Sequence, residues 1–409
     1  MADPRGPRSS HTVLERIVLD AFDGYGALTR PQLVEATGLS RPTVTALVTA
    51  LAARGELSES ATPAPTGTRG RPSLSYRRTA MAAPVALVRI AHRMPTQVSL
   101  VGEDGPIAEL DTRVSWLQPW DIWAPAVREA LAQLESASEL PARHVVLAAP
   151  FPVEDGHGAP EADPLAGRQP SASRAAARAR VLPDFPDFPE WIAHDPRPAV
   201  AELLRRPVTM INDANLAALG EARRGAARDA TTAVHLLIRH GAGAGVIVRG
   251  KMITGARGMA GEVGHVQIVE DGPYCMCGNR GCLVTQSFDP FKIEALTNRY
   301  GHEPSFDDLE ELTADGDAVA LRFFSDLGAL LAKTLAATIV LLDPDVLVID
   351  AELRHTAAPL ISGLRAELAR RCPPRLAEEL AVVRGQLRDA IAYGALAAVN
   401  DSEAGSPSR

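Results

Sequence analysis

At 409 residues, 46% apolar and 22% charged, the chain has room for two or three domains and the make-up of an ordinary soluble globular protein. No apolar run reads as long enough to span a bilayer, the opening MADPRGPRSSH has no apolar segment behind its charges, and four cysteines, three of them clustered, suit a reducing compartment; a cytoplasmic protein without membrane contact is expected. The net charge of −8 is uneven: residues 1–80 hold ten arginines against seven acids, leaving +3 there and −11 on the remainder, so a polyanion partner is expected at the head alone.

Three short helical patterns open the chain. Val13, Leu14, Ile17, Val18, Ala21 and Phe22 share one face at helical spacing. Pro31 suits a first helical turn, Leu33, Val34 and Ala36 follow, and Gly38 is a natural stop. Ser40 is a ready N-cap for a third helix whose buried stripe is Val44, Leu47, Val48 and Leu51. Two helices joined by a tight turn at Thr37-Gly38-Leu39 form a helix-turn-helix pattern, and the later helix belongs in a major groove. Ser40, Arg41, Thr43 and Thr45 would then face bases or phosphates. Two strands flanking the polar stretch from Ser58 to Gly70 would form a wing, with Arg69 and Arg71 at its tip for a phosphate or a minor groove. A helical docking domain without DNA contact is the plainer alternative; the basic skew, the caps and the arginine-bearing wing favour double-stranded DNA.

Beyond Pro84, strands are expected at Val85–Ile90, Gln97–Val101 and Ile107–Leu110, a helix at Ala124–Leu134 and a buried strand at Val145–Ala149. That order fits the first half of an actin-like, ribonuclease-H-type α/β domain. Gly156 to Pro183 reads as a surface excursion. A second lobe opens with a strand at Val208–Ile211, a helix behind Asn212-Asp213-Ala214-Asn215, and strands Val234–Ile238 and Val246–Val248 around the GAGAG run, Gly241 to Gly245. That run could cradle an anion or make a tight hairpin. A helix at Asp317–Leu342, a strand at Val346–Ile349 and a helix at Ala357–Ala369 follow, Ile391–Val399 closes the fold, and 401–409 is expected to be disordered.

The stretch AGEVGHVQIVEDGPYCMCGNRGCL, residues 260–283, holds Cys275, Cys277 and Cys282 within eight residues and His265 ten positions before the first. Three thiolates and one imidazole make the closed, soft tetrahedral shell that Zn²⁺ favours, and a complete shell makes a structural rather than a catalytic metal. An odd trio with a one-residue spacing is poor disulfide geometry.

Together these pieces resemble the ROK family, which joins sugar kinases to sugar-responsive repressors. GEVGH (261–265) looks like its E-x-G-H motif, CMCGNRGC (275–282) its zinc motif, NDAN (212–215) its catalytic-base motif and DPDVLVI (343–349) its adenosine-side strand; a helix-turn-helix with Gly70-Arg71-Pro72 is similar to the repressor branch. The resemblance implies a winged helix-turn-helix at 1–80 and a two-lobed actin-like ATPase (ribonuclease-H-like) α/β domain at 84–400. Its lobes would divide near 206, and the zinc loop would span 260–283. It implies that Asn212, Asp213, Glu262 and His265 contact sugar hydroxyls, and that His265 turns its other ring nitrogen to zinc. The effector would be a sugar or sugar phosphate, and the assembly a homodimer or homotetramer.

The departures bear on activity. The kinases' first phosphate loop corresponds to Arg89-Ile90-Ala91-His92-Arg93, the start of the second to Arg239-His240, and the glycines after the adenosine strand to Asp350-Ala351. Phosphoryl transfer is largely positioning and charge stabilisation, so a regulator that does not act as a kinase is expected. The alternatives are a sugar kinase with an accessory helix-turn-helix, or a regulator with no small-molecule ligand. On the sugar side, a family glutamate is Val284 and the sugar loop reads Pro150-Phe151-Pro152.

Overall fold

The computed structural model describes residues 13–22, 28–53, 57–61, 74–78, 83–91, 94–153, 189–193, 195–238, 241–287 and 290–405. The chain divides into two compact units, Met1–Ala82 and Ala83–Arg409.

In the first unit, α1 (Val13–Asp20), β1 (Leu28–Thr29), α2 (Arg30–Thr37), α3 (Arg41–Ala53), β2 (Leu57–Ala61) and β3 (Leu74–Arg78) follow in order. The strands form an antiparallel sheet, β1-β3-β2. Gly38 takes φ 68° and donates its N–H to Val34 O, ending α2 so that α3 can start three residues later, at Arg41. Val18, Leu19, Phe22, Leu33, Val44, Val48, Leu51 and Tyr76 form the core. The expected face of α1 is rotated. Leu14 and Ile17 stay exposed and Leu19 turns inward, because so short a helix can bury only the strip that meets the core.

The second unit repeats one topology. Strands β4 (Val85–Arg89), β5 (Pro95–Gly102), β6 (Gly105–Ser115), β7 (His144–Ala149) and β8 (Val208–Asn212) make a sheet ordered β6-β5-β4-β7-β8. Helices α4 (Trp120–Ser138), α5 (Glu190–Ala193) and α6 (Arg197–Leu204) belong to the same lobe. After α7 (Asp213–Arg224), strands β9 (Thr232–Ile238), β10 (Ala242–Val248), β11 (Lys251–Met252), β12 (Val346–Ile349) and β13 (Ala381–Arg384) form β11-β10-β9-β12-β13. In each sheet the third strand lies beside the second, then the first, fourth and fifth. The first three pair antiparallel, and the fourth and fifth add in parallel. The remaining helices are α8 (Leu283–Ser287), α9 (Pro290–Tyr300), α10 (Phe306–Ala314), α11 (Ala318–Leu342), α12 (Ala357–Arg371), α13 (Pro374–Glu379) and α14 (Ala390–Gly405).

Alanine-rich α7 bridges the lobes. Ala214 and Ala217 pack with Val85, Val146 and α14, while Ala218 and Leu219 pack with Ala233, Ile247 and Val348. The GAGAG run is part of β10, not an anion loop. A side chain at Gly245 would meet Ala218 Cβ at 2.3 Å, so the glycines let α7 lie close on the sheet. Helix α11, 25 residues long with a mean hydropathy of 1.6, does meet the length and composition of a membrane span, contrary to expectation. Its Phe324, Leu331, Leu335 and Ile339 pack instead among Leu347, Ile349, Leu360 and Leu364 in the second lobe's core. The tail expected to be disordered from 401 continues α14 to Gly405, with Asp401 paired to Arg223 and Glu403 to Arg143. The excursion at 156–183 lies outside the described residues.

Candidate functional site

A cleft of about 230 Å³ opens where the ends of β8, the start of α7 and the 262–265 turn meet. Asn212 is the last residue of β8 and caps α7. Its Oδ1 accepts Asn215 N–H at 3.1 Å, and its Nδ2 donates to the Phe151 carbonyl at 3.3 Å. Asp213 starts the helix and accepts Ala214 N–H at 2.7 Å. The 262–265 turn is pressed against β10. Gly261 (φ 91°) and Gly264 leave no space for a side chain beneath the Ala244 and Ala242 carbonyls. That approach brings Glu262 and His265 to the cleft beside Asn212 and Asp213. Burial first, then the neighbouring Asp213 carboxylate, raises Glu262 to about 7, and burial lowers His265. The four residues that the resemblance assigns to sugar thus line one cleft.

His265 joins that cleft to the cysteine loop. In a tetrahedral zinc site, with Zn–S about 2.3 Å, two sulfurs stand about 3.8 Å apart, and a sulfur and an imidazole nitrogen about 3.6 Å. Cys277 Sγ and Cys282 Sγ are 3.7 Å apart; Cys275 Sγ and His265 Nδ1 are 3.5 Å apart. All four donor atoms lie within 4.8 Å of one another, so the donor set fits the ion. Gly278 and Gly281 adopt φ 88° and 65°, turning the loop so that the sulfurs converge. Burial and the crowding of the other sulfurs push the Cys282 thiol up to about 12, and Cys275 is raised chiefly by burial. A divalent cation among these groups would hold them as thiolates.

At the position that the resemblance matches to the kinases' first phosphate loop, Arg89 ends β4 and its Nη2 donates to both oxygens of Asp389 at 2.8 Å, just before α14; both side chains are largely buried. Trp116, fully buried, donates its indole N–H to the Ala91 carbonyl at 2.9 Å and packs against Phe151. Ala351 is buried beside Asp350. Arg239, His240, His92 and Arg93 lie outside the described residues.

In the first unit, Ser40 Oγ meets Thr43 Oγ1 at 2.7 Å and Thr45 Oγ1 donates to the Arg41 carbonyl at 2.9 Å, while the side chains of Arg41 and Thr45 stand exposed at the start of α3. Arg69 and Arg71 fall outside the described residues. Sequence reasoning missed Trp116 and Met276 as cleft-lining residues. Met276 was legible in principle: when Cys275 and Cys277 both turn toward one point, the residue between them must face away. A larger groove of about 460 Å³, lined by Leu296, Phe323, Leu327 and Leu330 along α9 and α11, has no comparable convergence of polar groups.

A duplicated five-stranded α/β lobe, with a cysteine–histidine cluster beside a polar interlobe cleft, defines the class: a two-lobed, actin-like α/β protein. The family model described as "ROK family" matches residues 185–402, more than half of the chain, and the protein belongs to that family. It is 30% identical over 197 residues to the DNA-binding transcriptional dual regulator NagC of Escherichia coli K12, covering 46% of this chain and 48% of that one. It is 28% identical over 265 residues to a glucokinase of Thermotoga maritima, covering 61% and 82%. The chain spans about half the length of the curated repressor relatives it matches. Among solved structures it is similar to a ROK family transcriptional regulator, a homologue of the E. coli MLC protein. The TM-score is 0.66 at 20% identity, covering 94% of this chain and 95% of that one, a likeness that shows the fold.

Proposed function

We propose that the protein is a sugar-responsive, DNA-binding transcription regulator of the cytoplasm, a repressor acting as a homodimer or homotetramer. Residues 1–80 act as a winged helix-turn-helix and 84–400 as the ligand-responsive ROK domain. The observation that carries this reading is a contrast between the lining of the cleft and the end of β4. Asn212, Asp213, Glu262 and His265 line the cleft together, while the phosphate-loop position holds Arg89 tied to Asp389. Kinases need that position for backbone amides and a metal-binding acid.

Arg41 enters the major groove from the first turn of α3, with Ser40, Thr43 and Thr45 beside it and Arg69 and Arg71 on phosphates or in the minor groove. Zinc, held by His265 Nδ1, Cys275, Cys277 and Cys282, is structural. It fixes the imidazole tautomer, so that the second ring nitrogen can bond a sugar hydroxyl. Asp213 and Glu262 accept hydroxyl hydrogens, and Asn212 positions the ring. A sugar alters DNA affinity by the difference between its affinities for two arrangements of the protein.

Gel-shift titration of the full chain over fragments flanking its gene, repeated across a salt series, tests this. Expected is a sequence-selective complex that weakens steeply with salt and that Arg41→Ala weakens about 5- to 150-fold. No selective complex would refute it. The similarity to a glucokinase makes phosphoryl transfer the rival. Turnover of ATP with any of a panel of sugars, abolished by Asp213→Asn, would establish the kinase reading instead.

A further inference from the structure

The cleft holds more apolar surface than a sugar ring needs. Besides the four polar residues, Phe151, Leu237, Met276 and Val284 line it. Phe151 and Leu237 are buried and belong to the core; Met276 and Val284 do not. Met276 is 59% exposed, and its two neighbours in sequence are both held in the sulfur cluster. An apolar group laid over this thioether would withdraw both surfaces from water. Val284 stands half-buried on the other flank of the same loop, directly after the last cysteine and the buried Leu283.

The polar residues, by contrast, are all suited to hydroxyls. Among the described lining residues there is no lysine or arginine, and Asp213 and Glu262 both present carboxyl groups. At about 230 Å³ the cleft lies under the roughly 300–1,000 Å³ usual for drug-sized ligands, which suits one ring and a short substituent.

We propose that the ligand of this cleft is a monosaccharide glycosidically joined to an apolar group, an alkyl or aryl glycoside, with Met276 and Val284 as the residues that select the substituent. This rests on the sugar-cleft reading above. The ring meets Asn212, Asp213, Glu262 and His265, and the substituent covers the thioether and the valine. Such a ligand is bound by both halves of the lining, whereas the free sugar leaves Met276 wet.

The test is isothermal titration calorimetry of the full, zinc-replete chain with glucose, galactose, xylose and N-acetylglucosamine, each paired with its phenyl α- and β-glycoside. The expected result is a phenyl glycoside that binds about tenfold or more tightly than its parent sugar, the gain from withdrawing about 60 Å² of apolar surface from water. Met276→Ala, a change on an exposed side chain, should cut the ratio of glycoside to parent-sugar affinity at least about threefold. Val284→Ala should cut it again by a similar factor. A parent sugar that binds as tightly as its glycosides overturns this inference and leaves the sugar-cleft reading standing. An advantage that survives both substitutions overturns the assignment of the selecting residues. Failure of every free sugar and every glycoside to bind overturns the sugar-cleft reading, and the inference with it.

Discussion

The cysteine-loop end and the Arg89 end of the ROK domain illustrate two ways of holding a site. At the first, geometry is carried by backbone that has nowhere else to go: Gly261 and Gly264 lie under β10 carbonyls, and His265 is shared between cleft and sulfur cluster. At the second, the same kind of loop position is occupied by a side chain that has found a partner of its own, Asp389, and by an indole bonded to the Ala91 carbonyl. Where backbone defines a site, a few side chains suffice to keep it. Where side chains fill a loop position, they gain stability from contacts that any ligand there would have to break.

The largest effect is expected at the first end. Cys275→Ser or Cys277→Ser removes one of four proposed metal donors. Zinc measured by inductively coupled plasma mass spectrometry should fall from about one per chain to a small fraction. The melting temperature should fall by roughly 5–10 °C, because the loop that carries His265 loses its brace. The cleft should also lose its affinity for sugars. Full zinc occupancy in both variants would mean that these sulfurs are not its ligands, and the contrast between the two ends would lose its basis.

At the second end, Arg89→Ala leaves Asp389 largely buried without its guanidinium partner, keeping the Ala392 N–H at 3.0 Å. Side-chain exposures of 12% and 17% put this pair among those for which removing one partner is costly, about 3 kcal/mol by denaturant titration. The double variant Arg89→Ala/Asp389→Ala should recover part of that loss, giving a coupling of about 1–3 kcal/mol. Additive single effects would show that the pair does not act as a unit and that Arg89 fills the loop position by bulk alone.

These two ends were not equally legible in the sequence. The sulfur cluster was readable because its ligands are local: a short spacing with glycines at the turns forces convergence whatever the rest of the chain does. Strands such as Val85–Arg89 and the long helix at 318–342 were readable for the same reason, through their runs of apolar residues. The Arg89–Asp389 pair joins residues 300 positions apart, and no periodicity marks it. The GAGAG run was ambiguous because glycine permits both anion contact and close helix packing; only the position of α7 decides. Helices α9, α10 and α13 and strand β13 were missed, their patterns being short and cut by prolines or polar residues. The continuation of α14 past 401 depends on arginines elsewhere in the chain.

Glu310 is a buried acid that sequence reasoning also missed, and it sharpens the comparison with a smaller effect. It is 2% exposed and accepts the N–H groups of Arg354 and His355 at 3.0 and 2.7 Å and the Thr356 hydroxyl, fixing the loop between β12 and α12. That loop follows Asp350-Ala351 directly after β12, in the second lobe. Glu310→Gln replaces one acceptor oxygen with a donor and should cost about 1–3 kcal/mol. Amide hydrogen exchange at 354–356 should quicken without change at 262–265. Faster exchange at both sites would mean that the two loops are not independent.

The smallest effect calibrates the others. Arg223 and Asp401 approach to 2.6 Å, as close as many buried pairs, yet their side chains are 36% and 51% exposed. Water and salt screen such a pair, and ordering two long side chains offsets much of what attraction remains. A double-variant cycle on Arg223→Ala and Asp401→Ala should therefore give roughly 0.2–1 kcal/mol, shrinking further in 1 M salt, against the larger and salt-resistant coupling expected of Arg89 and Asp389. If the two cycles give equal couplings, distance rather than burial governs these contacts, and the filled loop position is held no more firmly than the surface of the last helix.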